Sequence, residues 1–379
     1  MTAPEICPLK SLGAKPQQRV DEIDFWRGLA LIIIFINHFQ GNVVSFVTPK
    51  NYGFSDSAEA FVFLSGLSTS LAYKKYFSGF DYKNGCIRIL RQVNKIYTSH
   101  IILTIIAILF YLALSHAIKI TEILDVEGRG SILNKPIETI VGIFSLTHQL
   151  GYFNILPLYV LFLLISPVLL FLGAWNRWLM IFLSLSIYIL ARLFDLNIPS
   201  WPEKGTWYFN PLAWQLLFTL GVFFGFRMGD SKLHIANFIY NLALIFTLIA
   251  AILVSNAFGT IPGLVDVIGQ GIDWDKSQLG LIRLIDFLAL ACVIYNSNIS
   301  DKFKTMKLYQ SAKMIGRNGL LIYIIGSLLS AGGTIIKEAY SLTYFFDILY
   351  VAFGMKLLHC CAIMSDKRKS LYRDNTIKI

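Results

Sequence analysis

The chain has 379 residues, of which 55% are hydrophobic and only 15% charged, and a formal net charge of +10. The apolar share is above, and the charged share well below, what soluble domains carry. These values exclude a soluble globular enzyme, give no case for a nucleic-acid partner, and point to an integral membrane protein.

Residues 1–20 are polar and hold Pro4, Pro8 and Pro16. They read as a flexible tail and lack the pattern of a cleaved signal peptide. Apolar runs long enough to span a bilayer follow at 24–46, 57–77, 96–118, 153–173, 178–195, 211–227, 235–256, 279–296, 314–336 and 342–363, about ten in all. The run 137–152 is apolar but short and contains His148 and Gln149, so it reads as re-entrant or interfacial. The expected fold class is all-α: a polytopic integral membrane protein with one transmembrane domain over 21–363 and a basic tail over 364–379. No internal repeat is visible. Cys7, Cys86, Cys292, Cys360 and Cys361 show neither metal nor disulfide spacing.

Basic residues set the expected orientation. Lys74, Lys75, Lys83, Arg88, Arg91 and Lys95 lie from the end of the second run to the start of the third, and Lys302, Lys304, Lys307, Lys313 and Arg317 lie over 301–317, around the start of the ninth. Lys367, Arg368, Lys369, Arg373 and Lys378 end the chain. The stretches 119–140, 195–210 and 257–278 are near neutral or acidic. Ten crossings place every basic segment on one side, with both termini cytoplasmic. The positive charge then reflects topology and contact with anionic lipid. A sharper reading fits Arg88, Arg91 and Lys95, which share one helical face and suit the phosphates of coenzyme A.

Arg27 and His38 in the first run are eleven residues apart. Eleven helical steps come within about 20° of three full turns, so both lie on one stripe about 16 Å apart along the axis. Asp24 lies one turn before Arg27 and suits a pairing role. Ionisable groups at such depth face a protein interior or a water-filled path. A neutral histidine there can take a proton from an attacking hydroxyl. The bland alternative is an interfacial Asp24–Arg27 pair with a hydrogen-bonded core histidine.

The second run opens with Asp56 and Glu59. Asp56 suits a helix cap. Glu59, one turn on and near the depth of His38, would orient or charge-balance that histidine or bind an incoming hydroxyl. Ser65 and Gly66 allow close helix packing, or equally a passage for a thioester arm. In the outer stretch at 195–215, Trp207 and its aromatic neighbours would stack on sugar rings or form an interfacial belt. Asn210 and Gln215 would bind sugar hydroxyls. Arg283 would hold a carboxylate or a charged acceptor with Asp286 nearby, or the two would pair with each other.

These segments resemble the OpgC family of membrane acyltransferases of the Arg-x10-His type. The resemblance rests on Asp24-Phe-Trp-Arg27-Gly-Leu-Ala-Leu with Asn37-His38, and on Phe54-Ser-Asp56-Ser-Ala-Glu59-Ala-Phe-Val-Phe-Leu-Ser65-Gly66. Asn154-Ile-Leu-Pro-Leu-Tyr159, Ser166-Pro167 and Phe209-Asn210-Pro-Leu-Ala-Trp-Gln215 continue it, as do Leu281-Ile-Arg283-Leu-Ile-Asp286, Gly316-Arg-Asn-Gly-Leu320 and Gly326-Ser-Leu-Leu-Ser330. The family more often carries His-Ser where this chain has Asn318-Gly319.

The resemblance implies transfer of an acyl group, succinyl foremost, from cytoplasmic acyl-CoA to hydroxyls of a periplasmic glucan or related saccharide, in a bacterial inner membrane. Acyl-CoA would be a donor substrate, with no permanently bound cofactor. Arg27 and His38 would be the catalytic pair, with His38 as general base or as a residue that is itself acylated. An alternative of another class is a transporter or flippase for an anionic or lipid-linked saccharide, with the same ionisable residues lining its path. The lack of internal repeats counts against it.

Overall fold

The computed structural model describes residues 21–119, 124, 128–228, 235–255, 273–297 and 299–377. The expected tail at 1–20 and most of the stretch 257–278 lie outside these residues. The described chain is helical almost throughout, and its one β-type pairing is an isolated bridge between Pro199 and Thr206. The helices are α1 (Asp21–His38), α2 (Ser57–Ser78), α3 (Tyr82–Ile118), α4 (Ser131–Asn134), α5 (Pro136–Phe144), α6 (Ile155–Trp175) and α7 (Arg177–Leu193). They continue as α8 (Pro211–Arg227), α9 (Asn237–Ser255), α10 (Leu281–Asn296), α11 (Ile299–Lys304), α12 (Lys307–Arg317), α13 (Gly319–Ala339) and α14 (Tyr344–Ile377). Among the described residues, five helices are long and apolar enough to cross a membrane: α3, α6 with its leading turn, α9, α13 and α14. On α9, Phe238, Leu242, Ile245 and Ile249 are exposed. Such a helix suits lipid better than water.

Each expected span coincides with a helix, but several boundaries move. α1 stops at His38, well before residue 46, because Gly41 turns the chain at φ +67° and Asn42 caps a short 3-10 turn at Val43–Val47. The expected run 314–336 is divided at Asn318, whose amide donates to Met314 O at 2.9 Å and Ala362 O at 3.3 Å. Its basic beginning belongs to α12. The stretch 137–152 forms the nine-residue α5 and then a turn at Gly151–Phe153. Tyr97 on α3 donates to Phe144 O at 2.8 Å, which lays the end of α5 along α3. α14 runs on through the expected basic tail to Ile377.

Local chemistry explains the ends. Asp21, Glu22 and Asp24 stand in the first turn of α1, where the helix dipole favours acids. Asp56 and Glu59 form a reciprocal capping box on α2. Asn210 caps α8 ahead of Pro211, which fits the first helical position. Lys74 donates to Gly225 O at 2.8 Å and Met228 O at 3.3 Å, closing the other end of α8. Within α6, Pro167 has no N–H for Leu163 O, and Ser166 Oγ donates to that carbonyl at 2.8 Å.

Two close helix pairs fix the interior. α2 and α8 meet backbone to backbone: a Cβ on Gly66 would strike Phe218 O, and one on Gly221 would strike Phe63 O. α1 and α12 meet likewise, with Gly28 against Ala312 O and Gly316 against Asp24 O. Small residues permit this approach. α13 joins α1 where Ser330 Oγ donates to Phe35 O at 2.8 Å.

Gly316→Leu is expected to cost about 3 kcal/mol or more, since backbone cannot yield to a side chain there. Gly326→Ala, whose Cβ would meet ordinary contacts at 3.7 Å, is expected to be nearly neutral. Thermal unfolding in detergent measures both; equal melting temperatures would contradict the packing described.

Candidate active site

Four charged side chains gather where α2 begins. Glu59 has no solvent exposure. Its Oε2 accepts from the Asp56 amide at 2.9 Å, and its Oε1 accepts from Arg283 Nε at 2.7 Å. Arg283 Nη2 lies 2.6 Å from the same oxygen, at an angle that makes no hydrogen bond, and 3.6 Å from Asp56 Oδ2. Asp56 Oδ1 caps Ala58 N at 2.7 Å, while Oδ2 meets Lys276 Nζ at 2.5 Å. Burial opposes the charge on Lys276, but the carboxylates of Asp56 and Glu59 together outweigh it and hold the lysine pKa above its ordinary value. Asp286 Oδ2 accepts from Ser55 N at 2.9 Å and Ser55 Oγ at 2.6 Å. Arg283 and Asp286 therefore serve different partners, which goes against the alternative in which the two pair with each other. Glu59 likewise turns to Arg283 rather than to His38.

His38 closes α1. Its Nδ1 is buried and has no hydrogen-bond partner among the described residues. The charges that act on the ring come from Lys276, Asp56 and Lys50. One face of the ring lies against Tyr152, with centroids 4.5 Å apart and planes 30° apart. Arg27, nearer the start of α1, faces α2 and donates to Ser68 Oγ. Its Nη1 is 3.5 Å from Asp24 Oδ1, and Asp24 also faces Arg317 Nε at 3.6 Å. Tyr159 of α6 lies within reach of the Arg27 charge. Arg27 and His38 thus sit on the inward stripe of α1, with the Asp24 pairing in place. Gly319 lies against the Arg27 side chain, its built Cβ 3.5 Å from Cδ. A serine there would touch the guanidinium arm.

Other expected site residues are committed to the fold. Ser65 Oγ bonds back to Phe61 O at 2.7 Å, and Gly66 is filled by α8. The seam at Ser65, lined also by Phe61, Leu158 and Tyr159, has no room for a water molecule. No passage for a thioester arm is open there in this structure. Trp207 is buried, with 3% exposure, so its ring is not a platform for a sugar; Trp201 and Tyr208 are the exposed aromatics of that stretch. Asn210 is wholly buried and spends its side chain on Leu212 N, Leu196 O and Gln278 Oε1. Gln215 exchanges hydrogen bonds with Ser184 Oγ at 2.6 Å and Ser184 O at 2.8 Å, clasping α7 to α8. Both amides were expected at the saccharide; their hydrogen bonds are used inside the protein. Arg88, Arg91 and Lys95 are exposed along one face of α3, and Arg88 lies 5.4 Å over the Tyr76 ring.

Lys276, Lys50 and Tyr152 escaped the sequence reading. Lys276 lies in a stretch read as near neutral. Lys50 follows Pro49 in a short turn. Tyr152 ends a segment whose role was open.

A family model described as OpgC protein matches residues 19–370, nearly the whole chain. Neither the curated proteins nor the solved structures contain a match.

Because Glu59 and Arg283 are buried together, removing one strands the other. Arg283→Met is expected to cost about 3–5 kcal/mol. The double change with Glu59→Gln is expected to cost less than the sum of the single changes. Unfolding midpoints in detergent test this; additive losses would show that the two groups do not interact.

Proposed function

The chain belongs to the OpgC family, and on that premise we propose a membrane O-acyltransferase that moves an acyl group, succinyl foremost, from cytoplasmic acyl-CoA to a hydroxyl of a periplasmic glucan or related saccharide. The observation that carries the reading is the placement of His38 on the same stripe of α1 as Arg27, about three turns along it, with Asp24 beside Arg27. The proposed setting is the inner membrane of a bacterium. Ten crossings and cytoplasmic termini follow from the basic loops.

In the proposed reaction His38 takes the proton of the acceptor hydroxyl. The hydroxyl oxygen forms a bond to the thioester carbonyl carbon, the carbon–sulfur bond breaks, and coenzyme A leaves as thiolate. The proton on His38 returns to the departing sulfur. Arg88, Arg91 and Lys95 are proposed to hold the nucleotide phosphates, since arginine forks suit them and the three are exposed on one face. Arg27 is proposed to guide the pantetheine arm between the two ends. Asp56 offsets Lys276, and Lys50 then leaves the surroundings of His38 electropositive, which favours an acyl group or acceptor bearing a carboxylate. Arg283, neutralised by Glu59, has a smaller share in this reading.

Purified protein given radiolabelled succinyl-CoA or acetyl-CoA and bacterial periplasmic glucans is expected to label the glucan. His38→Ala is expected to lower the rate by about 10²–10⁴-fold while coenzyme A affinity persists. Combined Arg88→Ala, Arg91→Ala and Lys95→Ala is expected to raise the donor KM by about tenfold or more. Full activity in His38→Ala would contradict the assignment. Failure of the native chain to bind coenzyme A would favour the transporter reading.

A further inference from the structure

A histidine that moves protons needs a fixed ring, and a hydrogen bond on the non-reacting nitrogen commonly supplies the restraint. His38 Nδ1 has no such partner among the described residues. Its restraint is instead a flat contact: the Tyr152 ring, 4.5 Å between centroids and tilted by 30°. Tyr152 is itself held at both ends. Its hydroxyl accepts from Gln40 Nε2, two residues beyond His38. Its carbonyl accepts from the Tyr323 hydroxyl of α13 at 2.8 Å. Gln40 in turn is pinned by its amide, which donates to Thr334 Oγ1 at 2.9 Å. Gly151, at φ +38°, makes the turn that presents Tyr152, a conformation unfavourable to residues with a side chain.

We propose that Tyr152 is a positioning residue for His38, and that the turn at Gly151–Phe153 acts as a clamp on the catalytic ring. The inference rests on the acyltransferase reading and extends it to the turn at Gly151–Phe153. The aromatic face does the positioning, and the hydroxyl's bond to Gln40 sets where that face stands. Removing the face frees the imidazole about its side-chain torsions, and a displacement of about 1 Å from the reacting geometry costs about 10²-fold in rate. The clamp touches neither donor nor acceptor, so substrate affinities are outside its reach.

The test compares Tyr152→Phe, which keeps the ring face, with Tyr152→Leu, which fills much of the volume without one. Tyr152→Leu is expected to lower kcat by about 10²-fold with donor and acceptor KM unchanged. Tyr152→Phe is expected to recover kcat to within about threefold, since the hydroxyl bond is the smaller part of the restraint. A second readout needs no acyl transfer: modification of His38 by diethyl pyrocarbonate, followed on its peptide by mass spectrometry. Its rate is expected to rise severalfold in Tyr152→Leu and to stay near native in Tyr152→Phe. Native kcat in Tyr152→Leu, a Phe variant as slow as Leu, or His38 labelling that ignores the loss of the ring would each overturn the clamp. A native chain without transferase activity would end the proposed function, and the labelling contrast would still decide whether Tyr152 restrains His38.

Discussion

The buried carboxylate of Glu59 is the constraint on which the end of the molecule around the start of α2 depends. An isolated charge in such a place costs several kcal/mol, so partners must come to it. They come from far along the chain: Arg283 is 224 residues away, and the Asp56–Lys276 contact beside it spans 220. Because α2 starts at this point through its own capping box, the ion cluster fixes the helix start as well as the charge. Asp286 adds a second tie from α10 to Ser55. Replacing such pairs with apolar residues is often neutral or better for stability. Their presence here accordingly argues for a set geometry, in which the charges of Asp56 and Lys276 act on His38.

The other half of the arrangement comes from small residues. Gly28 and Gly316 let α1 and α12 touch backbone to backbone, and Gly66 and Gly221 do the same for α2 and α8. With one side of α1 locked this way, its remaining inward stripe must present Arg27 and His38 toward α2 and the turn before α6. The bonds of Arg27 to Ser68 and of Ser330 to Phe35 O hold that rotation. The interior is packed closely enough at Ser65 that no water fits. Any substrate arm must enter by another route or by a rearrangement of α2 and α6.

What could be read in the sequence was local. Apolar runs mark helices because backbone in lipid must bond within its own segment, and each expected run is helical. The Arg27–His38 stripe, the Asp24 partner and the Asp56 cap follow from helical geometry alone, and they stand in the structure. What needed the fold was every partner across the chain. Glu59 was paired in expectation with the nearest ionisable neighbour in depth, whereas the structure gives it Arg283. Trp207, Asn210 and Gln215 looked like saccharide contacts because their residue types suit sugars, but type does not reveal burial. Helix ends were also missed where a single residue decides them, as Gly41 does after His38 and Asn318 does between α12 and α13. Tyr152 carried no signal beyond lying just before a matched segment.

The proposed function makes one central claim: the reacting end of a coenzyme A thioester meets an acceptor at the end of α1. The most direct measurement is a structure of the protein in lipid with a non-hydrolysable acyl-CoA analogue. The account predicts the nucleotide beside Arg88, Arg91 and Lys95, and the carbonyl carbon close enough to His38 for an acceptor oxygen to sit between them, with each step about 3 Å. An analogue bound with its carbonyl remote from His38 would contradict the account.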